Sequence, residues 1–359
     1  MTDALHVSNG DATDLPGTGL AARVLYWRDA LHEGPVPAVD ADELRRIRAA
    51  FLTGADADDR AEGGAMFVER DRALAASRDG EYVLWFEADL YDQLQIIQIL
   101  DRLAGLGVPA ERITLICIGE YPGIARFGGL GELSADQLRE LPATNAAIRL
   151  SPATLDLAAH AWSAFTADTP GGLAGVAATR SPELRFLGEA FDRLGREYPS
   201  TRDGLSLTER RVLAAVAGGA ADAGTAFVRA GGRETRPYLG DTWCFALIER
   251  LARAPVPLLG GPGAELTRPG LRGSQAHSSP PAELTRPGLR GSQAHSSPPA
   301  EPVGRGTPLA LTAAGAAVLA GEADHVRLNG VDRWIGGVHL CGTDARWRWD
   351  EGTEEVTGR

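Results

Sequence analysis

Three carboxylates within six residues follow a short apolar run in the stretch LWFEADLYDQL, Leu84 to Leu94. They are Glu87, Asp89 and Asp92. Carboxylates grouped in this way either hold Mg²⁺ or Mn²⁺ through their oxygens, or keep one proton for general acid–base catalysis. Asp89 also stands where a helix N-cap belongs, and Asp92 lies in the first turn, where the helix dipole favours acids. Glu87 resists that structural explanation, because a carboxylate directly after four apolar strand residues is partly buried and needs a partner.

Candidate polar residues also follow three other strand-like runs. The first run ends in Asn9, Gly10 and Asp11, the second in Arg28 and Asp29, and the fourth in Gly119 and Glu120. The carboxyl ends of parallel strands lie at one edge of a sheet, where open α/β sheets bind their ligands. We therefore expect these side chains to surround one pocket with a negative potential.

The sequence predicts three overlapping sets of site residues. They are catalytic Glu87, Asp29 and Arg28, ligand-binding Asn9, Gly10, Asp11 and Glu120, and metal-binding Asp11, Glu87 and Asp89. The cofactor stays open, with Mg²⁺ as the candidate that oxygen ligands favour. Arg28 would bind an anionic oxygen of the substrate. We expect a small-molecule ligand that carries a phosphate or is a nucleotide, and whether the site is catalytic stays open.

Composition excludes several mechanisms. All 36 basic residues are Arg, so a Schiff-base lysine, a lysine-bound pyridoxal phosphate and a P-loop lysine are ruled out. The glycines of NGDATDLPGTGL do not spell a dinucleotide fingerprint, and no GxSxG or HExxH motif is present. Two alternatives to an enzyme remain. One is a regulator that senses a ligand and binds DNA or a protein partner through its C-terminal part, and the other is a scaffold.

The framework for these residues is visible in the first 133 positions. Four short apolar runs predict strands: ALHVSNGD, ARVLYWRD, EYVLWFEAD and RITLICIGE. Amphipathic stretches such as DLYDQLQIIQILDRLAGLG predict helices between the later strands. Strands that alternate with helices indicate a doubly wound, mostly parallel, Rossmann-like α/β domain over residues 1–133.

Two further segments flank the C-terminal domain. Residues 134–200 predict a helical connector, whose helices begin at Ser134, Ser151 and Ser181. Residues 323–359 predict a Trp-rich β element that packs on another domain, since LNGVDRW holds an Asn-Gly turn signal.

Residues 201–322 are typical of a winged-helix-like α+β domain. They combine three helical patterns with two strand-like runs, VPLLGG and TPLALT. Between these runs an 18-residue segment occurs identically at 264–281 and 282–299, and its Pro, Gly and Ser content predicts a disordered insertion. The third helical pattern, GDTWCFALIERLARA, carries an aromatic cluster and few basic residues, so DNA recognition by it is the weaker expectation.

Charge and composition limit the kinds of binding partner and the cellular location that can be expected. Residues 1–150 carry 25 acids and 14 Arg, a net charge of −11, whereas residues 151–359 carry 23 acids and 22 Arg, a net charge of −1. An acidic domain repels polyanions. We expect no membrane span, because no apolar run is long enough, and no signal peptide at the N-terminus. Three widely spaced cysteines fit neither a disulfide framework nor a zinc pattern, so we predict a cytoplasmic location.

Several motifs together resemble a bacterial family, domain of unknown function 1835, with its companion C-terminal domain. The motifs are HVSNGDA, WRDALHEGPVP, LWFEADLYDQL, ICIGEYPG, GLGELSADQL, GLSLTERRVL and the end DRWIGGVHL…WRWD. The resemblance spans nearly the whole chain except the repeat, and it implies no established activity. Members often carry a His where this chain has Ala88, so a site served by that His would be missing here.

Overall fold

A five-stranded sheet forms the centre of the molecule, in the order β2-β1-β3-β4-β5. The computed structural model describes residues 3–53, 57–261 and 302–358. The strands are β1 (Leu5–Ser8), β2 (Arg23–Tyr26), β3 (Tyr82–Glu87), β4 (Ile113–Ile118) and β5 (Ala147–Arg149). The first four pair in parallel, with Leu5 opposite both Arg23 and Tyr82. The predicted α/β class with a mostly parallel sheet is therefore confirmed.

The fifth strand lies inside the segment for which the sequence predicts only helices. β5 runs antiparallel to β4, with Ala147 opposite Ile116 and Arg149 opposite Thr114. It has only three residues, which is too short for an alternating apolar pattern to reveal it. The predicted connector 134–200 thus also supplies the edge of the sheet.

Three helices cover one face of the sheet. They are α1 (Ala41–Thr53), α2 (Ala57–Ala76) and α3 (Leu90–Gly105). Leu44 of α1 and Leu74 of α2 share a buried core with side chains of β1, β3 and β4. The other face carries a smaller core under α4 (Ala135–Glu140) and under loops. Those loops and the connector contain 3-10 turns at Pro16–Thr18, Ala110–Arg112, Leu130–Glu132, Leu141–Ala143 and Pro170–Gly172.

The strand order creates a crevice between the ends of β1 and β3. The chain leaves β1 toward β2 on one side, returns over the sheet and continues from β3 to β4 on the other side. At such a reversal the loops after neighbouring strands diverge, which opens space at the carboxyl edge. Asn9 follows β1 at this point, and Glu87 ends β3.

The connector continues with three helices. They are α5 (Pro152–Thr166), α6 (Leu173–Ala177) and α7 (Leu187–Gly195). The prediction of a helix start at Ser181 is wrong. The Ser181 hydroxyl accepts the backbone N–H groups of Glu183 and Leu184, so this serine stabilises a turn, and the helix begins six residues later.

The C-terminal part has a core of its own. It is built by α8 (Leu207–Ala217), α9 (Ala223–Gly231), α10 (Asp241–Arg253), β6 (Leu259–Gly260), β7 (Ala310–Leu311) and α11 (Ala313–Ala320). β6 and β7 pair antiparallel, as the runs VPLLGG and TPLALT predict. The core extends from Leu205 to Val318. The predicted disordered insertion 264–299 lies outside the described residues.

The last segment packs back onto the core of the sheet. After α12 (His325–Asn329) come two antiparallel hairpins, β8 (Val331–Ile335) with β9 (Val338–Gly342) and β10 (Trp347–Asp350) with β11 (Glu355–Gly358). Ile335, Leu340 and Trp349 belong to the core of the sheet and α3. Among the described helices, none has the length and apolar character to cross a membrane.

Candidate functional site

Three carboxylates meet at the carboxyl end of β3. Glu87, Asp89 and Asp92 are called the β3 carboxylate triad below. Asp89 is the N-cap of α3, and its Oδ1 accepts the backbone N–H of Asp92 at 3.0 Å. Asp92 turns back toward the strand: its Oδ2 accepts the backbone N–H of Glu87 at 2.5 Å, and its Oδ1 accepts the amide of Asn9 at 2.7 Å. The turn that starts the helix therefore also gathers the acids.

A glycine-rich loop closes over Glu87 from the side of β4. Oε1 of Glu87 accepts the backbone N–H of Leu130 at 2.7 Å. Gly129 has a φ of +142°, and a Cβ atom at this position would lie 2.6 Å from Oε2 of Glu87. Both the left-handed φ and the close approach require glycine. The loop thereby fixes the carboxylate of Glu87 at the end of its strand.

Burial changes the ionisation of the triad. Burial, assisted by the charge of Asp89, raises the pKa of Glu87 to about 7. Burial also raises the pKa of Asp89 to about 6, against hydrogen bonds from the first turn of α3. Burial and the charges of Asp89 and Glu87 raise the pKa of Asp92 well above its usual range. The triad therefore holds protons near neutral pH, and its titrations are those of a group and not of single residues.

A cleft of about 600 Å³ opens beside the triad. One wall is the loop 119–128 after β4, and the other is the segment 234–237 between α9 and α10. A small cavity of about 20 Å³ is lined by Glu87 and Asp89 and shares Phe127 and Arg236 with the cleft. Glu87 and Asp89 therefore line the small cavity that adjoins the cleft, which is called the inner end of the cleft below.

Arg236 brings a cation from the C-terminal part to the sheet edge. Its NH1 donates to the carbonyl of Gly119 at 3.1 Å, and its Nε lies 3.1 Å from Oε2 of Glu189. The guanidinium also lies 4.7 Å from the centre of the Phe186 ring. Its charge acts to lower the pKa of Asp89, although burial outweighs it. The cleft therefore combines an acidic inner end with a basic side chain on its wall.

Comparison with known proteins assigns no family to this arrangement. No protein-family model, curated protein or solved structure matches the chain. The resemblance to the domain of unknown function 1835 family stays a prediction. The function has to follow from the chemistry of the site itself.

The structure places three of the predicted ligand-binding residues near the triad or the cleft. Asn9 donates to Asp92, as described above. Glu120 lines the cleft. Gly10 follows Asn9, and a Cβ atom there would meet no atom within 4 Å, so nothing in the fold requires glycine at that position.

Two other predicted residues form an ion pair at the surface. NH2 of Arg28 lies 2.7 Å from Oδ2 of Asp11, with 51% and 71% of the two side chains exposed. Solvent therefore surrounds both groups. Neither residue lines the cleft, and the catalytic role of Arg28 and the ligand- or metal-binding role of Asp11 stay predictions.

Asp29 lies in the interior and is 2% exposed. Its Oδ1 accepts both Nε and NH2 of Arg48, at 2.9 and 2.8 Å. Arg48 also donates to the carbonyls of Ala30 and Glu33. Asp29 and Arg48 thus hold the loop after β2 against α1, and the catalytic role of Asp29 stays a prediction.

The predicted metal site is not assembled. Within the ranges that the structure describes, no group of three or more His, Cys, Asp or Glu is arranged to hold a metal ion. Asp11 is paired at the surface, whereas Glu87 and Asp89 direct oxygens to backbone N–H groups. The three predicted metal ligands, Asp11, Glu87 and Asp89, therefore form no such group in the described part of the chain.

Sequence reasoning missed the contribution of the C-terminal part. Arg236 lies in RETRPY, a segment without a motif or periodicity, and contacts Gly119 across 117 positions of the chain. Asp92 was visible only as an acid in a helical first turn, and its hydrogen bond with Asn9 depends on β1 and β3 being neighbours. A correct prediction of the strand order, which places the ends of β1 and β3 side by side, could have linked Asn9 with Asp92.

Proposed function

We propose that the protein binds a phosphate-bearing small molecule in the cleft beside the β3 carboxylate triad, and that Glu87 exchanges a proton with it as a general acid or base. The position of Glu87 carries this proposal. It ends a parallel strand, lines the inner end of a cleft and has two further carboxylates as neighbours. Open α/β sheets bind ligands at this edge.

The ionisation of Glu87 suits proton transfer. A general acid or base works best when its pKa is near the working pH, so that both protonation states are populated. Burial raises the pKa of Glu87 to about 7, which meets that condition. Asp92 and the loop at Leu130 hold the residue from two sides, so the carboxylate is positioned before a ligand arrives.

Two arginines on the walls suit the anionic part of the ligand. Arg126 and Arg236 line the cleft from opposite walls, and guanidinium groups match phosphate oxygens in geometry and charge. The protons held by the triad reduce its repulsion of a phosphate at the inner end. The same cleft can therefore hold an anion and transfer a proton.

Ligand-induced thermal stabilisation tests the proposal. The wild type is screened at pH 7 against inorganic phosphate, sugar phosphates and nucleotides, together with Glu87→Gln and the control Glu111→Gln. Glu111 lies on the turn before β4, at the opposite edge of the sheet. At 100 times Kd a ligand adds about 2.7 kcal/mol to stability, which a melting curve detects.

At least one phosphate-bearing compound is expected to raise the Tm of the wild type and of Glu111→Gln. For Glu87→Gln the shift should lose its dependence on pH between about 6 and 8, the range in which a group with a pKa near 7 titrates. If no compound raises the Tm of the wild type, the ligand site is refuted. If Glu87→Gln keeps the pH dependence of the wild type, the proton-transfer role is refuted.

We also propose that residues 201–322 are a winged-helix domain that serves as a packing module. The order of α8, α9 and α10 before the β6–β7 hairpin supports it. In that fold the first residues of the third helix read DNA. Here Trp243 near the start of α10 stacks on Phe51 of α1, with ring centres 5.7 Å apart. A helix occupied in this way favours contact within the chain over DNA, and a gel shift at low salt, where DNA binding is strongest, should show no complex.

We propose further that the N-terminal sheet domain is Rossmann-like. The parallel order β2-β1-β3-β4, with α1, α2 and α3 on one face and α4 on the other, supports a Rossmann-like domain. The motifs LWFEADLYDQL and ICIGEYPG supply the triad and one wall of the cleft. We also propose membership in the domain of unknown function 1835 family, which the motifs of the sequence support. A cytoplasmic location stays a prediction from composition.

A further inference from the structure

We infer that the ligand of the cleft is a nucleotide, which narrows the wider class of phosphate-bearing molecules and rests on the proposed function of the cleft. The cleft offers three kinds of partner to such a ligand. They are an aromatic platform for the base (Tyr121 and Phe127), a carboxylate for the ribose hydroxyls (Glu120) and two guanidinium groups for the phosphate (Arg126 and Arg236).

The aromatic platform is held by the core beneath it. Tyr121, Ile124 and Phe127 pack against the smaller core of the sheet and at the same time line the cleft. Gly123, with a φ of +86°, allows a tight turn in which the backbone N–H of Ile124 donates to the carbonyl of Tyr121 at 3.1 Å. A base would therefore stack on rings that are already ordered, which keeps the entropic cost of binding low.

The phosphate position follows from the two guanidinium groups. Arg126 reaches from the sheet loop to the opposite wall, where its NH2 donates to the carbonyl of Gly231 at 3.4 Å. That long bond to a neutral acceptor leaves the charge of Arg126 available to an anion. Arg236 forms an ion pair with Glu189, and its hydrogen bond to the carbonyl of Gly119 holds it in position. A phosphate between the walls would join the sheet loop to the C-terminal part.

Glu120 is the acceptor available for ribose. It lies two residues beyond the end of β4 and lines the cleft next to Tyr121. A carboxylate beyond a strand of an open sheet binds ribose hydroxyls well, because each hydroxyl donates to an oxygen. The other carboxylate on the walls, Glu234, already accepts Arg193 at 2.7 Å and pairs with Arg211. The cleft thus presents an acid, two aromatic rings and two guanidinium groups, one kind of partner for each part of a nucleotide.

The size of the cleft agrees with this ligand. Its volume of about 600 Å³ lies within the range of about 300–1,000 Å³ that small-molecule sites occupy. An inorganic phosphate or a short sugar phosphate would leave the aromatic wall uncovered. A nucleotide would cover the rings and still reach the inner end beside Glu87.

Isothermal titration calorimetry on the full chain at pH 7 tests the inference. The probes are AMP, GMP, CMP and UMP, their four nucleosides, and ribose 5-phosphate. At least one nucleotide should bind about tenfold or more tightly than ribose 5-phosphate, which is the effect of stacking one base on an aromatic side chain. The same nucleotide should also bind more tightly than its nucleoside.

Variants separate the three contacts. Arg126→Gln should weaken the nucleotide and leave the nucleoside unchanged, whereas Phe127→Leu should weaken both and leave ribose 5-phosphate unchanged. Arg229→Gln is the matched control, since Arg229 is also an exposed arginine that donates to a carbonyl, that of Gly218. It should bind every probe as the wild type does. Tyr121→Leu replaces Phe127→Leu if the latter does not fold.

Three outcomes would overturn the inference. If ribose 5-phosphate binds as tightly as all four nucleotides, the cleft has no site for the base and the inference is refuted. The proposed function still stands in that case if Arg126→Gln weakens the binding of ribose 5-phosphate. If no nucleotide binds although a sugar phosphate raises the Tm of the wild type, the nucleotide is refuted and the proposed function stands. If every phosphate-bearing probe fails, both are refuted.

Discussion

Glu197 and Glu87 both have buried carboxyl groups, but the protein shifts their pKa values in opposite directions. Glu197 accepts NH1 of Arg193 and NH2 of Arg333, each at 2.8 Å. Burial alone would raise the pKa of Glu197, but Arg193 and Arg333 hold it well below its usual range. Glu87 accepts a neutral backbone N–H instead, and burial raises its pKa to about 7.

Both side chains are buried, so the difference in their pKa values comes from their hydrogen-bond and ion-pair partners. Paired with arginines, Glu197 is a permanent charge that joins α7 to β8 and, through Thr208, to α8. Glu87 lacks the support that would keep it ionised, so it can take up and release a proton. Such groups cluster at functional sites, because an environment that shifts a pKa toward neutrality costs stability.

The largest effect is expected from removing the charge of Glu197. In Glu197→Gln, Arg333 would keep only the more distant Glu33, at 3.5 Å, among its described ion pairs. Breaking one side of a buried ion pair costs about 3–5 kcal/mol. Urea unfolding of Glu197→Gln and of the control Glu111→Gln measures this loss. A loss below about 1 kcal/mol, typical of exposed pairs, would contradict the claim that Glu197 is ionised in a buried ion pair.

A smaller loss should follow from crowding Glu87. Gly129→Ala places a Cβ atom 2.6 Å from Oε2 of Glu87 on a backbone with a φ of +142°. We expect a loss of about 1–3 kcal/mol from this strain. Gly10→Ala is the control, since its Cβ atom would meet nothing within 4 Å, and should change stability by less than about 1 kcal/mol. Equal melting temperatures for the two variants would contradict the close contact between the loop and Glu87.

The pH dependence of stability should differ between the two acids. The pKa of Glu87 is raised in the folded state to about 7 from 4.5, so its contribution is complete below about pH 4.5 and is lost as the pH rises through 7. Glu197, with a lowered pKa, contributes fully above its unfolded pKa and adds no slope in that range. Since one pKa unit corresponds to about 1.4 kcal/mol, the wild type should lose about 2 kcal/mol relative to Glu87→Gln between pH 5 and pH 8.

Chemical denaturation at pH 5, 6, 7 and 8 measures this difference. Because groups outside the triad titrate equally in both proteins, the difference between wild type and Glu87→Gln isolates the coupled titration of the triad. Parallel stability curves for the two proteins would show that Glu87 is ionised throughout.

The smallest effect is expected at the surface. Arg28→Ala removes the ion pair with Asp11, whose side chains are half or more exposed. Exposed pairs contribute about 0.2–1 kcal/mol, so the Tm should shift by little and ligand binding should not change. A loss of ligand binding in Arg28→Ala would restore Arg28 to the site and contradict its placement outside the cleft.

The sequence predicts the sheet well because its strands are continuous apolar runs. YVLWFE and ITLICI are short, almost entirely apolar runs, as is typical of parallel strands that are buried on both faces. The three-residue β5 carries no comparable signal. Within the site, Glu87 could be predicted because an acid directly after such a strand calls for an explanation, and Asn9 because it follows a neighbouring strand.

The remaining site residues depend on tertiary contacts that no local pattern records. Asp11 and Asp29 each lie three residues beyond the end of a strand, whereas Glu87 is the last residue of its strand. The loop of Asp29 turns inward to Arg48, and that of Asp11 stays in solvent beside Arg28. Arg236 enters the site because α9 and α10 pack so that the turn between them faces β4. A strand-end position is therefore a necessary condition for such a site and not a sufficient one.

The protonation of Glu87 is the most direct test of the account. ¹³C NMR of the protein labelled at the side-chain carboxyl of glutamate follows each titration, and comparison with Glu87→Gln assigns the resonance. We predict one glutamate resonance that titrates near pH 7, the value to which burial raises the pKa of Glu87, and that is missing from the variant. If the resonance lost in Glu87→Gln titrates near 4.3, the ordinary value for glutamate, the triad is ionised at neutral pH and the central claim fails.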